Sequence, residues 1–188
     1  AQSARRVIAS VPSVESPLVA RMREHARSVF AEMSDLARRT ESINLGQGFP
    51  DTDGPAEIAE VARQCIANGD GNQYPPATGV PELRHAISSH AMRFYGLTVD
   101  PDSEVIVSTG ASEAIQSALL GLLERGDEVV MFEPWFDIYA AGISLADGVR
   151  VGVPFIGPDL RPDIDGMRDV ITPRTKVLLL NTPHNPTG

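Results

Sequence analysis

The chain has 188 residues, 42% apolar and 22% charged, with a formal net charge of −9; this suits one ordinary α/β domain with a buried core and excludes a disordered chain. The charge is uneven: residues 1–40 hold seven arginines against Glu15, Glu24, Glu32 and Asp35, and the rest is strongly acidic, without the basic face that nucleic-acid binding requires. No apolar run reaches the roughly 20 residues that cross a bilayer, no apolar segment of a secretory signal follows Arg5 and Arg6, and the single Cys65 excludes an internal disulfide or a cysteine-rich metal site.

Ser16-Pro17 reads as a helix cap followed by proline at the first helical position. Leu18, Met22, Ala26, Val29, Met33 and Leu36 recur behind it at helical spacing, predicting one helix to about Arg39. An irregular glycine-rich stretch follows, Asn44-Leu45-Gly46-Gln47-Gly48-Phe49-Pro50-Asp51. Pro55 opens a second helix that places Ile58, Val61, Ala62 and Cys65 on one face, where the thiol is expected to be buried and inert, and Gly69 ends it. A polar loop containing Gln73-Tyr74-Pro75-Pro76 leads to a third helix from about Val80 to Tyr95, stopped by Gly96.

Beyond residue 100 the pattern becomes regular. Strands are predicted over Glu104–Ser108, Glu128–Phe132, Arg150–Val153 and Lys176–Leu180, alternating with helices over Ala111–Glu124, Phe136–Ala146 and Asp163–Ile171. Such alternation means βαβ units, a mostly parallel sheet and helices on both of its faces. Ligands of these sheets bind outside the carboxyl ends of the strands.

Three segments fall at that end. Ser108-Thr109-Gly110-Ala111-Ser112-Glu113 turns a strand directly into a helix; the free amides of Ala111 and Ser112 and the Ser112 hydroxyl suit a phosphate or carboxylate. A simple helix cap is the plainer reading, and the pattern is neither a Walker loop nor Gly-x-Gly-x-x-Gly. Glu133-Pro134-Trp135-Phe136 offers two aromatics against which a ring can stack, or which merely close the end of the sheet as core. Asn181-Thr182-Pro183-His184-Asn185-Pro186-Thr187-Gly188 is a loop stiffened by two prolines, able to hold Asn181 and Asn185 as donors to a ligand oxygen. His184 reads as a hydrogen-bonded loop residue rather than a base. All three segments are expected to follow strands of one sheet, so that a phosphate cup, an aromatic lid and an amide donor converge on one edge.

In that order the segments resemble the class I and II aminotransferases of the fold-type I pyridoxal-phosphate superfamily. Asn181 to Gly188 is the most specific element and Asn44 to Asp51 is nearly as telling; the latter is similar to the branch of kynurenine/glutamine, methionine and N-succinyldiaminopimelate aminotransferases. The likeness runs from about Phe30 to Gly188. It implies pyridoxal 5'-phosphate as cofactor, with Gly110, Ala111 and Ser112 on its phosphate, Phe136 on its pyridine ring, Asn185 on its phenolic oxygen and Asn181 in support. It further implies Gly46, Trp135 and Asn185 toward the substrate, and Tyr74 reaching the phosphate of a partner subunit, hence a homodimer.

On this resemblance residues 1–42 are an amino-terminal arm and helix belonging to a small domain, and residues 43–188 are the first half of the cofactor-binding large domain. The lysine that forms the Schiff base, the aspartate facing the pyridine nitrogen and the arginine that clamps the substrate carboxylate are expected beyond Gly188. Lys176, at the start of a strand, cannot substitute, so these 188 residues alone are expected to be inactive. The whole protein is expected to be a cytoplasmic enzyme exchanging an amino group between an amino acid and a 2-oxo acid, with neither a nucleic-acid nor a membrane partner. A carbon–sulfur β-lyase shares the same cofactor site, and the ligand-sensing domain of an aminotransferase-like transcription regulator shares the same fold.

Overall fold

Helical spacing continues unbroken from Leu18 to Leu36, but the backbone does not follow it. In the computed structural model, which describes residues 16–48, 50 and 52–188, this stretch divides into a 3₁₀ turn, Ala20–His25, and helix α1, Val29–Thr40. The cap is Ser28 rather than Ser16: its hydroxyl accepts the Ala31 N–H at 3.2 Å, an interaction that stabilises a helix by about 1 kcal/mol. Arg5, Arg6 and Glu15 of the basic arm, and Phe49 and Asp51 of the glycine-rich stretch, lie outside the described residues.

The described residues up to Ser42 pack with Leu119–Gly188 as one compact unit, and those of Ile43–Ala118 form another. In the latter, α2 (Ala56–Asn68) and α3 (Pro81–Tyr95) begin and end where proline and glycine predict. Gly69 and Gly96 both take the left-handed conformation as C-caps. Ile58 and Val61 stay more than half exposed, and Cys65 is only half-buried; the expected burial of the thiol is not seen. The segment Glu104–Ser108 also departs from expectation. It pairs with no strand among the described residues; instead the Val107 N–H donates to Thr78 O at 3.0 Å. A β-rich run needs a partner for its backbone groups, and here the turn before the buried Gly79 supplies that one acceptor. Helix α4 (Gly110–Leu122) follows.

In the unit containing Leu119–Gly188, the apolar run after Gly126 forms strand β1 (Glu128–Glu133). Helix α5 (Asp137–Leu145) leads to β2 (Val149–Pro154), and α6 (Ile164–Asp169) leads to β3 (Thr175–Leu179). The three strands are parallel in the order β2-β1-β3. Central β1 is covered on both faces, which is why it lacks polar alternation: Val129, Val130 and Met131 are at most 1% exposed. On one face Val130, Phe132 and Val153 pack against Met167 of α6; on the other, Met131 shares a crevice with Tyr139 of α5. Helix α6 is shorter than predicted, beginning after Asp163, whose carboxylate accepts the Gly166 N–H at 2.9 Å.

The 3₁₀ turn is held by side chains that reach this layer. Arg21 Nε donates to Leu145 O at 3.3 Å, His25 Nε2 pairs with Ser144 Oγ at 3.0 Å, and Arg150 bonds to Glu24 at 3.0 Å. At the amino end of the sheet, buried Glu128 accepts from Thr172 Oγ1 at 2.6 Å and from Arg174 Nη2 at 2.6 Å. Its carboxyl sits below its ordinary value, first because of the Thr172 hydroxyl and then because of Arg174, against the opposing effect of burial. Glu128 pairs with Thr175 but Val129 pairs with Val177, so Lys176 is the extra residue of a β-bulge.

Candidate active site

Met131 of β1 pairs with Leu179 of β3 in parallel register, so the segments that follow leave neighbouring strands at their shared carboxyl end. Trp135 comes from one segment; Asn181 and His184 come from the other. These three line a small crevice with Met131, Tyr139 and Leu179. Trp135 lies over Gly152 of β2, where an added Cβ would come within 2.8 Å of Trp135 Cζ3. Glycine inside a strand commonly marks such a close approach, a signal that sequence reading passed over.

Phe136 turns elsewhere. It precedes α5 as its N-cap residue and packs on Tyr139 with ring centroids 5.7 Å apart and on Phe30 of α1 at 5.9 Å. A groove of about 430 Å³ runs beside Phe30 and Phe136, lined also by His25, Ile138 and Ala141. Phe30 was not among the expected site residues, because the apolar stripe of its helix runs through Val29, Met33 and Leu36.

Asn185 is exposed while Asn181 and His184 are half-buried. The loop is tied internally: His184 Nδ1 pairs with Thr187 Oγ1 at 2.8 Å, and the Gly188 N–H donates to His184 O at 2.6 Å. The peptide bonds before Pro134, Pro183 and Pro186 are cis.

Gly46, Tyr74, Gly110, Ala111 and Ser112 belong to the unit Ile43–Ala118. Gly110 opens α4 at φ +80°, with open space, apart from its own chain neighbours and helix backbone, where a Cβ would stand. Ala111 and Ser112 are exposed in the first turn, where helix amides lack intrahelical acceptors. The Thr109 N–H donates to the Glu113 carboxylate, which holds that carboxyl below its ordinary value. The Gly46 N–H donates to Asn44 Oδ1 at 2.9 Å, and the side chain of Tyr74 is fully exposed. Lys176, in β3, stands at the strand end opposite the Trp135 and Asn185 loops.

Residues 40–188 match the family model for aminotransferase class I and II. The chain belongs to the class I and II aminotransferase family. Among aminotransferases of this family, a probable N-succinyldiaminopimelate aminotransferase of Mycobacterium tuberculosis is 49% identical over 173 residues, which is 90% of this chain and 43% of that protein. The methionine aminotransferase of Escherichia coli is 42% identical over 161 residues, 86% of this chain and 42% of that protein. The solved structure of the mycobacterial N-succinyldiaminopimelate aminotransferase superposes with a TM-score of 0.86 at 47% identity, over 90% of this chain and 44% of that one. The chain thus spans less than half the length of these relatives, and within that span its fold is that of fold-type I aminotransferases. That family works with pyridoxal phosphate. Among the described residues no helix is long and apolar enough to cross a membrane.

Proposed function

We propose that the whole protein is a pyridoxal-phosphate-dependent aminotransferase that moves an amino group from an amino acid to a 2-oxo acid. The observation that carries this reading is the pairing of β1 with β3, which delivers Trp135 and the Asn181–Asn185 loop to one strand end in a chain of this family.

Each part of the cofactor has residues in this chain whose chemistry suits it. A phosphate dianion needs several donors in a positive potential, and the first turn of α4 offers the amides of the exposed residues Ala111 and Ser112, the Ser112 hydroxyl and open space over Gly110. A pyridine ring needs an apolar face, the role of Phe136. A phenolic oxygen needs a donor, the role of the exposed Asn185 amide, with Asn181 supporting the loop. When bound, the cofactor supplies the electron sink that acidifies the substrate Cα–H. Asn185, by donating to the phenolic oxygen, favours its anionic form.

Trp135 and Gly46 face the substrate, the latter through its backbone; because Asn44 Oδ1 already accepts the Gly46 N–H, a substrate carboxylate using that amide displaces Asn44. Tyr74, with its side chain fully exposed, reaches the cofactor phosphate of a partner subunit, which makes the working unit a homodimer; its place in the cytoplasm is a separate part of this proposal. Residues 1–42 contribute to a small domain, residues 43–188 to the first half of the large one, and the Schiff-base lysine comes from the part of the protein after Gly188.

The test supplies the full-length protein with 2-oxoglutarate and an amino donor and measures glutamate. The greater identity to the mycobacterial relative makes N-succinyldiaminopimelate the donor to try first and methionine the second. Glutamate formed in step with loss of the donor supports the reading. Pyruvate released from a sulfur amino acid without glutamate would make the protein a β-lyase, and cofactor binding with no turnover would favour a sensing domain.

A further inference from the structure

Asn185 is flanked by two prolines, yet prolines fix backbone angles without fixing a loop to the body of the protein. The anchor lies one residue earlier. The half-buried His184 ring meets Phe155 edge-on, with centroids 4.7 Å apart, and Phe155 in turn stacks on the buried Phe132 of β1 at 5.0 Å. From that seat His184 Nδ1 pairs with Thr187 Oγ1 at 2.8 Å, and its carbonyl accepts the Gly188 N–H at 2.6 Å. Both bonds span Asn185 and Pro186. The ring therefore joins the core under β1 to the far side of the turn that carries the exposed Asn185.

We propose that His184 is a positioning residue for the reaction: its clasp on Thr187, seated on Phe155, fixes the direction in which Asn185 presents its amide. No proton transfer by His184 is involved. The inference rests on the reading above, in which that amide meets the cofactor's phenolic oxygen. A looser Asn185 weakens a bond that matters most to the anionic form of that oxygen, so the effect is visible in the cofactor itself.

The experiment follows the absorbance of the cofactor-loaded full-length protein against pH, together with kcat and KM, in five variants. Asn185→Ala sets the direction of the shift in the absorbance midpoint. His184→Phe keeps the ring on Phe155 but loses the hydrogen bond, and Thr187→Val removes the hydroxyl at nearly constant volume. Both are expected to move the midpoint in the same direction as Asn185→Ala, by less, and to lower kcat roughly two- to tenfold, the worth of one ordinary hydrogen bond. His184→Asn, whose side-chain amide can stand where Nδ1 stands but which has no ring to seat on Phe155, is expected to recover only part of the wild-type midpoint. His184→Phe/Thr187→Val should shift it no further than either single change, because both remove one shared interaction. If Asn185→Ala moves the midpoint while His184→Phe and Thr187→Val leave it at the wild-type value, the clasp has no positioning role and only this inference falls. If Asn185→Ala moves nothing, the placement of Asn185 on the cofactor falls, and the inference with it.

Discussion

Trp135 rests on Gly152: a Cβ at Gly152 would stand 2.8 Å from Trp135 Cζ3 and 2.5 Å from Glu133 Oε2. The missing side chain in β2 is thus what allows the aromatic from the β1 loop to lie across the neighbouring strand. Gly152→Ala should destabilise the fold by about 1–3 kcal/mol through overpacking and push Trp135 from its seat. Urea unfolding reads the first effect. Tryptophan emission, with Trp135→Phe as the blank, reads the second; an unchanged emission spectrum would show that the ring does not depend on that space.

The Glu128 carboxylate is held by the hydroxyl of Thr172 and by Arg174, and its pKa lies below the ordinary 4.5. Because the folded-state value is depressed, its stabilisation is complete above the unfolded value and fades as pH falls through the folded one. The difference in Tm between the wild type and Glu128→Gln should therefore be greatest near neutrality and shrink as the pH drops below about 4.5. A Tm difference that stays constant from neutrality to strong acid would mean that the carboxylate's charge contributes nothing.

At Gly110 there is room for a methyl group but not a suitable backbone: φ is +80°, and the space where a Cβ would stand is open apart from its own chain neighbours and helix backbone. An L side chain in that region costs about 1–2 kcal/mol. Gly110→Ala should therefore either strain the start of α4 or rotate its first amides, weakening retention of pyridoxal phosphate roughly tenfold. Ser112→Ala, which removes one hydroxyl donor and leaves the amides in place, should cost less. Titration of apoprotein with the cofactor ranks the two, and a larger loss from Ser112→Ala would place the phosphate on side chains rather than on the helix terminus.

Phe30 and Phe136 meet at 5.9 Å with their planes tilted by 58°. Tilted aromatic pairs contribute about 0.5–1.5 kcal/mol beyond the area they bury. A double-mutant cycle with Phe30→Leu and Phe136→Leu, read by chemical unfolding, should return a coupling of that size. Additive losses would mean that the two rings only share a groove.

Much of the architecture was legible because local chemistry marks it. Pro55, Gly69 and Gly96 bound their helices through fixed φ or a left-handed cap, and the strand expected over Glu128–Phe132 is β1. The misreadings share one cause. Leu18 to Leu36 keeps helical spacing across a break that Ser28 caps, and Glu104–Ser108 has strand composition without a strand to pair with among the described residues. Spacing and propensity describe what a segment prefers, while its neighbours decide whether it is satisfied.

The amino-acid order by itself determined the family, the parallel sheet and the loops that carry the candidate residues, because periodicity, caps and the Asn181–Gly188 motif are local properties of the chain. Which side chains meet was decided only by the tertiary structure. Trp135 over Gly152, Phe136 against Phe30 and His184 against Phe155 join residues on separate segments, brought together by strand register and by helices packed on the sheet. No local pattern encodes those distances, because each contact depends on how several elements bury their apolar faces at once.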